Sequence, residues 1–135
     1  MSDSTTITTK YRGGTVYFQV FSELIRAAQY RGTTTYQDIA TIMGLPSHGS
    51  YMGAETGHIL GEISEDEVRA GRPMLSAVAV GVSGSPGSGF YSAARKLGLL
   101  TSPIDDVGFW EDQRAACYEA WKRHIPESGK VAHAS

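Results

Sequence analysis

The chain has 135 residues, a formal net charge of −2, 41% hydrophobic and 10% aromatic residues, and a single cysteine. That is one domain's length with enough apolar content to bury a core, which excludes global disorder. No apolar run approaches the ~20 residues of a membrane span, and one cysteine cannot form an internal disulfide. The opening MSDSTTITTK lacks the basic and apolar regions of a secretory signal. The expectation is therefore a soluble cytoplasmic protein with no membrane partner.

Residues 1–13, rich in Thr and Ser, read as a flexible N-terminal arm. In VYFQVFSELIRAAQY, the residues Val16, Val20, Phe21, Leu24, Ile25 and Ala28 recur at helical spacing and share one face, with Gly32 as the stop. TTTYQDIATIMGLP predicts a second, short helix: a Thr supplies the N-cap oxygen, Ile39, Ile42 and Met43 form the apolar face, and Gly44 with Pro46 ends it. In SHGSYMGAETGHILGEISEDE, Tyr51, Met52, Ile59, Leu60 and Ile63 line a third helix that Gly53, Gly57 and Gly61 weaken. Those glycines equally suit close backbone packing against a neighbour. Ser64 with Glu67 forms a capping box, predicting a separate brief turn that ends at Gly71.

The period then changes. Pro73–Val80 is rich in small and β-branched residues and predicts a buried strand, followed by the loop SGSPGSG and a helix, FYSAARKLGLL, closed by Gly98. A connection from Pro103 to Gly108 leads to a last helix, FWEDQRAACYEAWKRH, with Phe109, Ala116, Cys117, Ala120, Trp121 and His124 on one side. The predicted fold is α+β and mainly α: a winged-helix-like three-helix core with a short strand and a glycine-rich wing, plus two C-terminal helices. Residues 14–125 form the single domain, and 126–135 have the composition of a flexible tail.

Candidate chemistry is sparse. The run Gly81 to Gly89 sits between strand and helix, where phosphate-binding loops occur, but it lacks the terminal Gly-Lys-Ser/Thr of a P-loop and the glycine spacing of a dinucleotide fingerprint. A turn or wing tip is the simpler reading. Cys117 reads as a buried structural thiol, and His48, His58, His124 and His133 lack metal-ligand spacing. Glu65-Asp66-Glu67 reads as a solvated helix start beside the macrodipole. No serine sits in a Gly-x-Ser-x-Gly elbow. No catalytic residue, cofactor or metal site is predicted.

The run Thr35-Tyr36-Gln37-Asp38-Ile39-Ala40, followed by Gly44-Leu45-Pro46, resembles the helix-turn-helix entry of the alkylguanine-DNA alkyltransferases and their catalytically dead alkyltransferase-like relatives. Further counterparts are Gly53 to Leu60 for the recognition helix, Pro73 to Val80 for the Pro-led strand and Gly84 to Tyr91 for the wing, so the resemblance covers about residues 16–98. The family's Pro-Cys-His-Arg strand has no counterpart in Pro73-Met-Leu-Ser-Ala-Val-Ala-Val80, which on this alignment excludes alkyl transfer to a cysteine. The family's arginine finger falls near Ala54. Tyr36 matches the tyrosine that the family places against the DNA backbone, and it equally suits a half-buried aromatic at a helix start.

What the resemblance implies is a non-catalytic DNA-binding module. Its contacts would come from Thr34, Tyr36 and Gln37, from Ser50, Tyr51 and His58, and from the wing with Gly87, Tyr91, Arg95 and Lys96, with Tyr51 or Tyr91 offering a stacking face. Charge pulls the other way. Between Thr33 and Val68 stand Asp38, Glu55, Glu62, Glu65, Asp66 and Glu67 with no Lys or Arg, so phosphate neutralisation would be borrowed from Arg31, Arg69, Arg72, Arg95 and Lys96. The alternative is a protein-interaction adaptor, with a protein partner or as a homo-oligomer such as a homodimer, using the acidic helix surface or the aromatics Phe109, Trp110, Tyr118 and Trp121 of the last helix. A small-molecule enzyme at the glycine-rich loop is a third reading, without a catalytic group to name.

Overall fold

A computed structural model of the chain describes residues 6–101 and 106–123. Five α-helices run through them: α1 (Thr15–Gln29), α2 (Tyr36–Met43), α3 (Ser50–Arg69), α4 (Ser88–Lys96) and α5 (Asp106–Trp121). Two short strands, β1 (Thr34–Thr35) and β2 (Ala79–Val80), pair in parallel, Thr34 against Ala79 and Thr35 against Val80. The fold is thus α+β and mainly α. The 126–135 tail, His124, His133 and residues 103–105 of the predicted 103–108 connection lie outside the described residues.

Local signals set the first two helices. Tyr17, Val20, Leu24, Ala27 and Ala28 form the buried stripe of α1. Its left-handed stop falls one residue before the expected glycine, on Arg31 (φ 55°), and the Gly32 amide closes back on the Ala27 carbonyl at 2.9 Å. In α2 the Thr35 hydroxyl accepts from the Asp38 amide at 3.1 Å, and Gly44 (φ 74°) ends the helix in the left-handed conformation that glycine adopts without strain.

Three expectations are corrected. First, α3 is a single helix of 20 residues, so Ser64 opens no new turn. Its side chain is instead turned inward to Ser76, and Glu65 and Glu67 are buried mid-helix rather than solvated at a start.

Second, the expected strand Pro73–Val80 is extended only at Ala79–Val80 and coils into a 3-10 turn at Leu75–Val78. Everything from Met74 to Val80 is buried, yet β1 is the only neighbouring strand among the described residues, and several of the segment's backbone groups find side chains instead. The Met74 amide donates to Gln113 Oε1 (2.9 Å) and the Ser76 amide to Ser64 Oγ (3.1 Å). The Ala77 carbonyl accepts from Trp110 Nε1 (2.9 Å), and the Met74 carbonyl accepts from the Cys117 thiol (3.2 Å). The glycine-rich stretch after β2 contains no strand either. It is a compact loop in which the Gly81 amide meets the Ser85 carbonyl at 2.9 Å and the Gly84 amide meets the Gly81 carbonyl at 3.0 Å.

Third, residues 6–13 are no loose arm. Ile7 is buried among the core residues, and the segment lies along α3, held by hydrogen bonds described below. Of the face expected for α5, Cys117 is buried and Phe109 and Trp121 pack against the core, whereas Ala120 is exposed and Trp110 joins the buried side.

Candidate functional site

The helix α3 has two unlike halves, and both bear on function. In the second half every carboxylate has internal partners. Glu62, fully buried, accepts from three consecutive amides, those of Lys10 (2.8 Å), Tyr11 (3.0 Å) and Arg12 (2.8 Å). Glu65 accepts from the amides of Thr6 (2.6 Å) and Ile7 (3.2 Å) and from the guanidinium groups of Arg12 (2.6 Å) and Arg69 (3.2 Å). Burial alone would push the Glu65 carboxyl up, but these donors hold it below its ordinary value. Arg12 also reaches Asp66 at 3.0 Å, and Asp66 accepts the Tyr17 hydroxyl proton. Glu67 pairs with Arg72 at 2.8 Å and accepts from Trp121 Nε1 at 3.2 Å, while the Arg72 guanidinium lies 5.3 Å over the Trp121 ring. What reads in sequence as an acidic helix face is a hydrogen-bonded seam in which each carboxylate has partners inside the fold.

The first half is open. Gly53 and Gly57 face a cavity of about 520 Å³, and a Cβ at either position would touch nothing within 4 Å. The cavity lies between the first half of α3, the start of α2, the glycine-rich loop and the start of α4. Met52, Leu60, Phe90 and Ala93 supply apolar wall, and Tyr36, Gln37, Thr56 and Ser76 supply polar groups. This size and lining suit one ring-sized ligand.

The loop is fitted to Tyr36. A Cβ at Gly87 would stand 3.6 Å from the Tyr36 ring and hydroxyl, and one at Gly81 would stand 3.8 Å from the ring. The Gly87 amide donates to the Tyr36 hydroxyl oxygen at 2.6 Å. Burial raises the pKa of the phenol, partly offset by that amide, so Tyr36 remains a neutral donor at physiological pH.

Two helix amino ends meet the rim. The N-cap of α3 is Gly49 and that of α4 is Gly87, and neither end carries a side-chain cap. Gly49, Gly87, Ser88 and Gly89 all line the cavity. The positive ends of the two helix macrodipoles therefore border the cavity, with the Gly87 amide itself engaged by Tyr36.

Of the residues singled out in sequence, Tyr36, Gln37 and Gly87 line the cavity. Ser50 and Tyr51 begin α3 at its rim, both exposed. Thr34 is corrected to an internal role: it is 2% exposed and its hydroxyl donates to Glu23 at 2.7 Å. His58 is likewise engaged within the fold, with Nε2 at 2.7 Å from the Thr8 carbonyl and 3.1 Å from Glu62. Tyr91 is half-buried and packs edge-on against Phe90, and Arg95 pairs with Asp106 at 3.1 Å. Arg95 and Lys96 close the carboxyl end of α4, roughly 10 Å along the helix from its cavity end. Arg31 pairs with Glu119, Arg69 with Glu65 and Arg72 with Glu67, so the five cations do not form one free basic edge. Ser76 and the cavity-facing role of Gly53 and Gly57 were missed. The glycine spacing was the available signal, read as packing rather than as open wall.

No protein-family model, no curated protein and no solved structure matches this chain. Function therefore rests on the site. The aromatics of α5 serve the interior: Trp110 is hydrogen-bonded to Ala77, Tyr118 donates to the Gly32 carbonyl at 2.9 Å, and Trp121 meets Glu67. Desolvation pushes the Cys117 thiol up to about 12, which leaves it protonated and inert at neutral pH. Among the described residues no group of His, Cys, Asp and Glu is placed to hold a metal ion, and no helix is long and apolar enough to cross a membrane.

Proposed function

We propose that the chain is a non-catalytic DNA-binding module of the alkyltransferase-like kind, which takes one unstacked nucleobase into the cavity beside Tyr36. The observation that carries this reading is the cavity itself: ring-sized, apolar-walled, and opening where two uncapped helix ends meet. A nucleotide has the matching halves, a flat base for the walls and a phosphate for the backbone amides at the rim. The seam along α3 lessens the electrostatic objection, because carboxylates that would repel a phosphate chain are turned to partners inside the fold. Since the arginines are paired as well, affinity depends on uptake of the base more than on charge, and its salt dependence is shallow.

The test uses a short duplex carrying 2-aminopurine opposite an abasic site, with fluorescence reporting unstacking and anisotropy reporting binding. Wild type raises both signals. Gly57→Val, which fills the cavity from a position with no contacts to lose, abolishes the fluorescence rise. Arg95→Ala/Lys96→Ala lowers affinity at low salt and leaves the rise in place. Binding without any fluorescence change, insensitive to Gly57→Val, would overturn the reading.

A further inference from the structure

Ser76 is the buried polar group of the cavity that the fold leaves half used. It lines the cavity at 5% exposure. Its partner is Ser64, fully buried in the second half of α3, and the two residues interlock: the Ser76 amide donates to Ser64 Oγ at 3.1 Å, and the Ser64 hydroxyl donates to Ser76 Oγ at 2.6 Å. Ser64 has thus committed its proton to Ser76. The Ser76 hydroxyl proton has no protein acceptor among the described residues, and the side chain borders the cavity.

A buried hydroxyl that accepts one bond from the fold and keeps its own proton free is a selective element. Its proton gains a hydrogen bond from a ligand atom that accepts and is left unpaired against an apolar edge. We infer that Ser76 is a specificity-determining residue of the cavity, donating to an acceptor atom, a carbonyl oxygen or an unprotonated ring nitrogen, on the inner edge of a flat heteroaromatic ligand. Ser64 is a positioning residue, which fixes the Ser76 rotamer and turns its proton away from α3. The neighbouring wall agrees with a flat ligand: Gly53 and Gly57 allow a ring to lie against the backbone of α3, where any side chain would hold it off. This inference rests on the cavity being the ligand site, as proposed above.

The experiment compares two duplexes that each hold one base opposite an abasic site, one a natural purine and the other a nonpolar isostere of the same shape without acceptors. Wild type prefers the purine. Ser76→Ala lowers purine affinity about 3- to 10-fold, the size of one neutral hydrogen bond, and leaves isostere affinity unchanged, so the preference collapses. Ser76→Thr, which keeps the hydroxyl, restores the preference even where its methyl weakens both ligands. Ser64→Ala keeps the Ser76 hydroxyl but frees its rotamer and gives an intermediate preference; it also serves as the readout if Ser76→Ala fails to fold. Equal losses for purine and isostere in Ser76→Ala, or no loss for either, would overturn the role given to Ser76 while leaving the cavity reading intact. Wild-type binding that is blind to the isostere and to Gly57→Val would overturn both.

Discussion

The two halves of α3 are built from opposite materials on one continuous helix. From Ser50 to Gly61 it carries three glycines and faces a cavity, and from Glu62 to Arg69 it carries four carboxylates, three of them buried. Glycine in a helix interior costs ~1 kcal/mol relative to alanine, and a buried carboxylate costs several kcal/mol unless fully partnered. The second half meets its cost with the amides of the 6–12 segment and the Arg12 guanidinium, joined by Arg69, Arg72 and Trp121. The first half has no such compensation in the fold at Gly53 and Gly57, where nothing lies within reach of a side chain. A destabilising feature without a structural return fits the ligand site proposed above.

The largest effect is expected in the second half. Glu65→Ala strands the amides of Thr6 and Ile7 and two arginines, and costs on the order of 2–3 kcal/mol in chemical denaturation. The same residue sets a pH signature. Its folded pKa is depressed, so its stabilisation is complete above the unfolded carboxyl value of about 4.3 and is lost as pH falls through the lower folded value. Glu65→Gln should flatten that acid limb in denaturation midpoints measured across the acid range; an unchanged limb would place the acid sensitivity elsewhere.

In the first half the largest effect is on binding. Gly57→Val should cut uptake of a base roughly tenfold or more, the scale of discrimination set by one or two extra methyl groups in a close pocket, without lowering the thermal midpoint. Tyr36→Phe removes the acceptor for the Gly87 amide and should cost about 1 kcal/mol, with faster hydrogen exchange at Gly87 as the local sign.

The smallest and sharpest contrast lies within the glycine series. Gly57→Ala should stabilise the fold by about 0.5–1 kcal/mol, because it gains helix propensity and touches nothing. Gly61→Ala gains less, because its Cβ would stand 3.2 Å from Ile7 Cδ1 and press on the 6–13 segment. Equal gains at both positions would erase the distinction between an open and a closed half.

Short-range signals were legible in the chain. The Thr35 cap and the Gly44 stop of α2 depend on groups within a few residues of one another, and the apolar spacing of α1 states its own buried face. The mainly helical α+β class follows from such local periods, since each helix makes its own backbone hydrogen bonds. The capping-box reading at Ser64 failed for the converse reason. A Ser three residues before a Glu specifies a helix start only when both side chains are free to cap, and here Ser76 holds one and Arg72 and Trp121 hold the other.

What only the tertiary structure decided are the features made by residues far apart in the chain. The acidic stretch from Glu62 to Glu67 carries no cation in sequence, because its partners arrive from Lys10 and Arg12 about fifty residues earlier and from Arg72 and Trp121 beyond it. The strand signal of Leu75–Val78 describes apolar content correctly, but extended structure needs a neighbouring strand, and side chains of α3 and α5 stand where that strand would be. The cavity belongs to the same class. Its glycines, Tyr36 and Ser76 each have an ordinary local explanation, and they become one site because the parallel pairing of β1 with β2 brings the start of α2 beside the glycine-rich loop.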